Sequence, residues 1–203
     1  MDLRQRRKTE TTRLIREAAV ALARQHGVDG TTVEAICEKA GVSQRTFFNY
    51  FAFKDAVFMM PPPPLPEAAV ARFLVGTGDP MIELIDLMVA QAQEIKDTHW
   101  LGQLLHEIVD AHPRLMPLQM AEFQKFEAQL AGLIGQRRGL AEADVISTAL
   151  AGAIVGATRS GMDRWRHDPD ADFPSLLSEC LHGVLAFIRG GHPGAASSNK
   201  TSN

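Results

Sequence analysis

From Thr31 to Lys54 the chain reads TTVEAICEKAGVSQRTFFNYFAFK, and the glycine inside that stretch constrains the fold more than any other residue. Before it, Thr31 or Thr32 opens a helix, because a threonine hydroxyl can accept the free backbone N–H groups of a first turn, and Glu34 stands three residues after Thr31 as in a capping box. Val33, Ile36, Cys37 and Ala40 mark one apolar face of that helix. Gly41 ends it with a left-handed or open backbone, Val42 fills the corner, and Ser43 caps the next helix. That second helix carries Phe47, Phe48 and Phe51, with Gln44, Arg45, Thr46, Asn49 and Tyr50 among them. Two short helices about a tight turn make a helix-turn-helix, whose second helix places polar side chains at base edges in the major groove while its apolar side docks on the domain. Mere packing of two small helices is the plainer alternative. Gln44 and Arg45 can hydrogen-bond bases, and Thr46, Tyr50 and Lys54 can bond phosphates, which weights the reading toward DNA.

The run AGVSQRTFFNYFAFKDAV resembles the DNA-binding signature of the tetracycline-repressor (TetR/AcrR) family of bacterial one-component regulators. There a glycine turn precedes a helix ending in aromatic residues, and a lysine opens the fourth helix. The resemblance is detailed over residues 9–57 and architectural beyond them. It implies base-edge contacts from Gln44, Arg45 and Asn49, and phosphate contacts from Thr32, Thr46, Tyr50 and Lys54. Phe48 stands where many members have tyrosine, so a hydroxyl contact is lost there. Arg45 stands where glycine is frequent and adds a long cation suited to guanine.

Charge is sorted along the chain in the same sense. Residues 1–55 hold ten Lys/Arg against seven Asp/Glu, net +3, whereas residues 56–203 hold eleven against seventeen, net −6. A nucleic-acid-facing first quarter followed by a body that does not face nucleic acid accounts for this. At 203 residues and 45% hydrophobic content the chain can bury an ample core. Cys37 and Cys180 lie in no ligand spacing and read as reduced thiols. The charged N-terminus is unlike a signal peptide, and the most apolar run, Val145 to Thr158, is shorter than the roughly 20 residues of a membrane span. A cytoplasmic protein with no membrane segment is expected.

Along the chain, MDLRQRRK reads either as a frayed start or as a flexible basic arm on DNA. A helix follows from Thr9 or Thr12 to His26, ended by Gly27 and Gly30. Beyond Lys54 a short helix must stop near Met60, because Pro61 to Pro64 lack donor N–H groups. This departs from the family pattern of a longer fourth helix and predicts a polyproline-like strut, with a fresh helix at about Glu67. Further helices are expected from Pro80 to about Thr98, Trp100 to Ala111, Leu118 to Arg138, Glu142 to His167 and Pro174 to Arg189, then a disordered tail.

The fold class is therefore all-α, an N-terminal three-helix helix-turn-helix DNA-binding domain followed by a helical ligand-binding and dimerisation domain. The expected divisions are 1–58, 59–190 and a tail at 191–203. No nucleophile elbow, phosphate loop or dinucleotide motif appears, so no enzyme and no cofactor are expected. His106, Asp110 and His112 faintly resemble a zinc helix, but Asp110 takes the second histidine's place and no metal is assigned. Bulky residues in the body, including Met88, Trp100, Leu104, Met120, Phe123 and Phe126, are core by default, and the resemblance implies a pocket there for a small-molecule effector. Gly152, Ala153, Gly156, Ala157, Ser160 and Gly161 form a stripe that lets another helix approach closely, with Leu177, Leu181 and Val184 as apolar cover. The resemblance implies a homodimer through Gly152, Gly156, Leu177, Leu181 and Val184, with double-stranded DNA as partner. A regulator released from its operator by a small apolar or amphipathic ligand is the expected function. A helical carrier with a vestigial DNA-binding segment is the alternative.

Overall fold

The computed structural model describes residues 3–94, 99–168 and 171–190, so the tail expected at 191–203 lies outside the described residues. Every regular element among them is helical: α1 (Leu3–Gly30), α2 (Val33–Ala40), α3 (Gln44–Tyr50), α4 (Glu67–Val75), α5 (Pro80–Ala92), α6 (His99–Ala111), α7 (Met116–Arg137), α8 (Val145–His167) and α9 (Phe173–Ile188), with short 3-10 turns at Lys54–Phe58 and Pro113–Leu115. They sort into two units. One comprises residues 1–62 and 98–124, the other residues 63–97 and 125–203.

In the first unit α1 begins at Leu3 rather than at Thr9 or Thr12. Arginine, lysine and glutamine are good helix formers, so the basic start extends α1 instead of trailing from it, and Arg13 pairs with Glu10 (2.6 Å) and Glu17 on the same helix. Gly27 turns the backbone sharply at φ 74°, a left-handed conformation that glycine alone adopts freely, and Val28 then enters the core. Ile15, Ala19, Ile36, Phe47, Val57, Phe58, Leu105 and Leu115 are almost completely buried together. The Lys54–Phe58 turn stops at Met59, as the proline run requires, and a new helix opens at Glu67.

Helix α6 belongs to this unit, contributing Leu101, Leu105, Ile108 and Val109 to its core. Arg114, Gln119 and Arg16 fasten distant parts of this unit to one another through polar contacts. Arg114 pairs with Asp29 (2.6 Å) and with Asp55, which raises the arginine's pKa chiefly through the hydrogen bond to Asp55. The buried Gln119 amide accepts the Met60 N–H and donates to the Met60 carbonyl, each at 2.9 Å. Arg16 donates to the Met59 carbonyl at 2.7 Å and lies over the Phe51 ring at 5.5 Å, and its burial lowers its pKa to about 10.

In the second unit α9 packs on α8 and on α5. Asp79, Asp144 and Asp172 cap α5, α8 and α9 by accepting first-turn N–H groups, with proline inside the first turn of α5 and α9. Trp165 donates its indole N–H to the Ala171 carbonyl at 3.0 Å and packs on Phe173 with ring centroids 5.0 Å apart. Glu83 accepts from Arg137 at 2.6 Å and from the Gly78 N–H at 2.9 Å, tying α7 to the α4–α5 connection. The α8 helix, at 23 residues, is by length and composition long and apolar enough to cross a membrane. One side of it, with Ala151, Ile154, Val155, Gly161 and Trp165, is buried within the unit. Cys37 and Cys180 are free thiols, and burial raises the Cys37 pKa.

Candidate nucleic-acid interface

The geometry of α3 is set by its ends. Gly41 sits at φ 68°, and the backbone N–H groups of Gly41 and Val42 close on Glu38 and Cys37 carbonyls to finish α2. Ser43 accepts the Thr46 N–H at 3.0 Å and starts α3. Phe47 and Phe51 are buried, 5.4 Å apart by ring centroids, and anchor one side of the short helix in the core. Gln44, Arg45, Phe48 and Asn49 are exposed, with Thr46 and Tyr50 half-buried at the flanks. One side of α3 is thus fixed by aromatic burial, and the other offers a cation, two amides and a bare aromatic ring to solvent.

At the start of α2 it is Thr32 that caps, accepting the Ala35 N–H at 3.2 Å. Thr31 is buried and donates its hydroxyl to the Gly27 carbonyl at 2.8 Å. A capping box from Thr31 to Glu34 therefore does not form. Glu34 instead accepts from the Gln44 amide at 3.2 Å, a contact between α2 and α3. Lys54 donates to the Val28 carbonyl at 2.9 Å, and Thr46 shares a hydrogen bond with Ser43.

The sequence profile of bacterial regulatory proteins of the tetR family matches residues 15–59, and that of the MftR C-terminal domain matches residues 80–189. This chain belongs to the TetR family. It is 29% identical over 197 residues to the HTH-type transcriptional regulator TcmR of Streptomyces glaucescens, covering 92% of this chain and 86% of that protein. Over 191 residues it is 23% identical to MftR of Mycobacterium tuberculosis, named for mycofactocin biosynthesis, covering 90% and 93%. Its fold is similar to that of Thermus thermophilus FadR, a TetR-family repressor solved with lauroyl-CoA, at TM-score 0.52 and 19% identity over 95% of this chain and all of that one. As a TetR-family transcription regulator the chain is a DNA-binding protein, and its relatives are regulators, not enzymes.

The other residues singled out in the sequence fall in several places within this TetR-family fold. Met88 and Phe126 are buried in the second unit, while Trp100, Leu104, Met120 and Phe123 belong to the first, with Trp100 exposed and the other three half-buried. Leu177 and Leu181 are core residues of the second unit and leave no surface for a partner, and a side chain at Gly152 would meet the Glu127 carboxylate at 3.2 Å. Gly156 and Val184 remain exposed, beside Ile146, Ala149, Ala153 and Phe187 on the same two helices. His106 pairs with Asp110 at 3.1 Å, and the ring of His112 bonds the Ile108 carbonyl. Arg114, Gln119 and Arg16 carried no local sequence signal, because each hydrogen-bond partner lies 43 or more residues away, and the local signal at Glu34 was that of a capping box rather than of a contact with Gln44.

Proposed function

We propose that this TetR-family regulator is a homodimeric cytoplasmic repressor that reads a near-palindromic operator through α3 and releases it on binding a small apolar or amphipathic effector. The division of α3 carries the reading. Its apolar side is held rigidly by Phe47 and Phe51, and Gln44, Arg45 and Asn49 face outward together. Gln44, Arg45 and Asn49 then take the base edges, with Thr32, Thr46, Tyr50 and Lys54 on phosphates.

The second copy docks on the outer side of α8 and α9. Val145, Ile146, Val184, Phe187 and Ile188 expose between 45% and 81% of their surface there, a concentration of apolar side chains that supports a partner. Gly156 and Ala153 would let the partner's helix approach closely. Two-fold symmetry in the protein then matches two-fold symmetry in the site. The effector makes its contacts through the partly exposed apolar side chains Trp100, Leu104, Met120 and Phe123. These lie in the same unit as α3, and the lauroyl-CoA bound by T. thermophilus FadR, of similar fold, is an amphipathic molecule with an apolar acyl chain.

The test is recovery of specific duplexes from genomic DNA by the purified protein, followed by a screen for compounds that release them. Retention of one near-palindromic sequence at moderate salt is expected. Equal retention of all sequences would refute the reading.

A further inference from the structure

The contact between Glu34 and Gln44 bears on which base the recognition helix selects. Gln44 Nε2 donates to Glu34 Oε1 at 3.2 Å, joining the first turn of α2 to the first turn of α3. A carboxylate can only accept, so the amide nitrogen, not its oxygen, must face Glu34. The side-chain amide has two N–H groups and one carbonyl oxygen. With one N–H engaged by Glu34, the groups left to face outward are one N–H and the oxygen beside it.

That pattern has one good complement in the major groove. Adenine presents the N7 acceptor next to the N6 donor, whereas guanine presents two acceptors, N7 and O6. A tethered Gln44 can pair both groups with adenine. Against guanine its oxygen would lie against O6 or N7 with no hydrogen between them, and leaving such groups unpaired is costly. Glu34 is free for this task because Thr32 holds the cap of α2, and a carboxylate in a helix's first turn is favoured by the helix dipole.

We propose that Glu34 is a positioning residue: it fixes the Gln44 amide in the adenine-reading orientation and so sets the base preference at one position of each half-site without touching the base. The proposal rests on the assignment of α3 as the reading helix. A second consequence has the opposite sign. An acidic side chain beside the reading helix repels phosphates, so Glu34 lowers affinity for every sequence while it sharpens the choice among them. A residue that merely stabilised α2 would not produce opposed effects on selectivity and on general affinity.

The test uses the full chain as wild type, Gln44→Ala, Glu34→Ala and Glu34→Gln, each confirmed folded by its thermal melt. Sequences retained from a random duplex library locate the position that Gln44→Ala relaxes, and affinities are then measured with adenine or guanine there and on a scrambled duplex. Wild type is expected to prefer adenine on the order of 10- to 100-fold. Glu34→Ala should bring that preference to about 3-fold or less while binding the scrambled duplex more tightly, the more so at low salt. Glu34→Gln, whose amide oxygen can still accept from Gln44, should restore the preference yet keep the tighter binding to scrambled DNA. Full adenine preference in Glu34→Ala, at a position where Gln44→Ala loses it, overturns the positioning role. Failure of Glu34→Gln to restore it does the same. If Gln44→Ala relaxes no position at all, Gln44 reads no base and this proposal falls, while α3 as the reading helix still rests on Arg45 and Asn49.

Discussion

Replacing Gln119 by leucine tests whether the segment around Met60 is held by the amide that brackets it. Gln119 accepts the Met60 N–H and donates to the Met60 carbonyl, both at 2.9 Å, and only 9% of its surface is exposed. Leucine keeps the volume and the helix propensity of the site but strands both backbone groups. A hydrogen bond is worth about 1 kcal/mol net, and a buried group left without one costs about 1–3 kcal/mol. Met60 is half-buried, so water reaches part of the gap and the lower end applies. About 2–3 kcal/mol in total is expected, or roughly 5–10 °C in melting temperature for a chain of this size. Glutamate at the same place keeps the acceptor but, while ionised, sets a buried charge against the Met60 carbonyl, so it should be no more stable than the leucine variant. The assay is a thermal melt followed by circular dichroism at one fixed protein concentration, because association would otherwise shift the midpoint. A Gln119→Leu variant melting within ~1 °C of wild type would refute the reasoning, since the two backbone groups would then be satisfied without the amide.

Lys54→Ala should weaken cognate and scrambled duplexes by the same factor and lower the slope of log affinity against log salt by about 1, which a titration over ionic strength checks. Gly156→Leu should fold as a protomer, because nothing lies within 4 Å of a side chain placed there, yet sediment as a monomer and lose its operator; a persisting dimer would move the interface elsewhere. Arg138, followed by the Ser147 N–H, holds the Asp144 carboxyl below its usual pKa, and Arg189 does the same for Asp79. A carboxylate with a depressed folded pKa contributes stability that is present above its unfolded value of ~4 and is lost as pH falls through the folded value. Melting temperature should therefore decline below about pH 4, and less steeply in an Asp144→Asn, Asp79→Asn double variant.

Local chemistry made much of this fold legible. Gly41, Ser43 and the proline run act on their immediate neighbours, so the turn, the start of α3 and the stop near Met59 could be read directly. The face of α3 was legible too, since Phe47 and Phe51 share one side of it. Choosing between Thr31 and Thr32 was beyond local rules, because the sharp turn at Gly27 decides it by bringing a carbonyl to the Thr31 hydroxyl. The start of α1 was missed for another reason: a run of arginines is as good a helix as it is a solvated tail. Least legible were pairs far apart in the chain. Arg114 with Asp55 and Gln119 with Met60 are separated by 59 residues, and nothing periodic links them. Leu177 and Leu181 satisfied the pattern of an outward apolar stripe equally well, and only the packing of α9 on α5 and α8 turns them inward.

Four of the seven side chains proposed to meet DNA are already engaged beforehand. Lys54 holds the Val28 carbonyl, Thr46 holds Ser43, Thr32 holds the Ala35 N–H, and Gln44 holds Glu34. Flexible side chains lose rotamer entropy when they are ordered, on the order of 1 kcal/mol each, and in this head much of that loss is incurred when the chain folds. Association with DNA then needs little further ordering, and its rate should approach that of two rigid surfaces meeting. The same economy makes affinity hostage to the integrity of the α1–α2 corner. A variant that loosens Val28 or Gly27 would bind more weakly with every contact residue intact, and its deficit would appear in the entropy of binding.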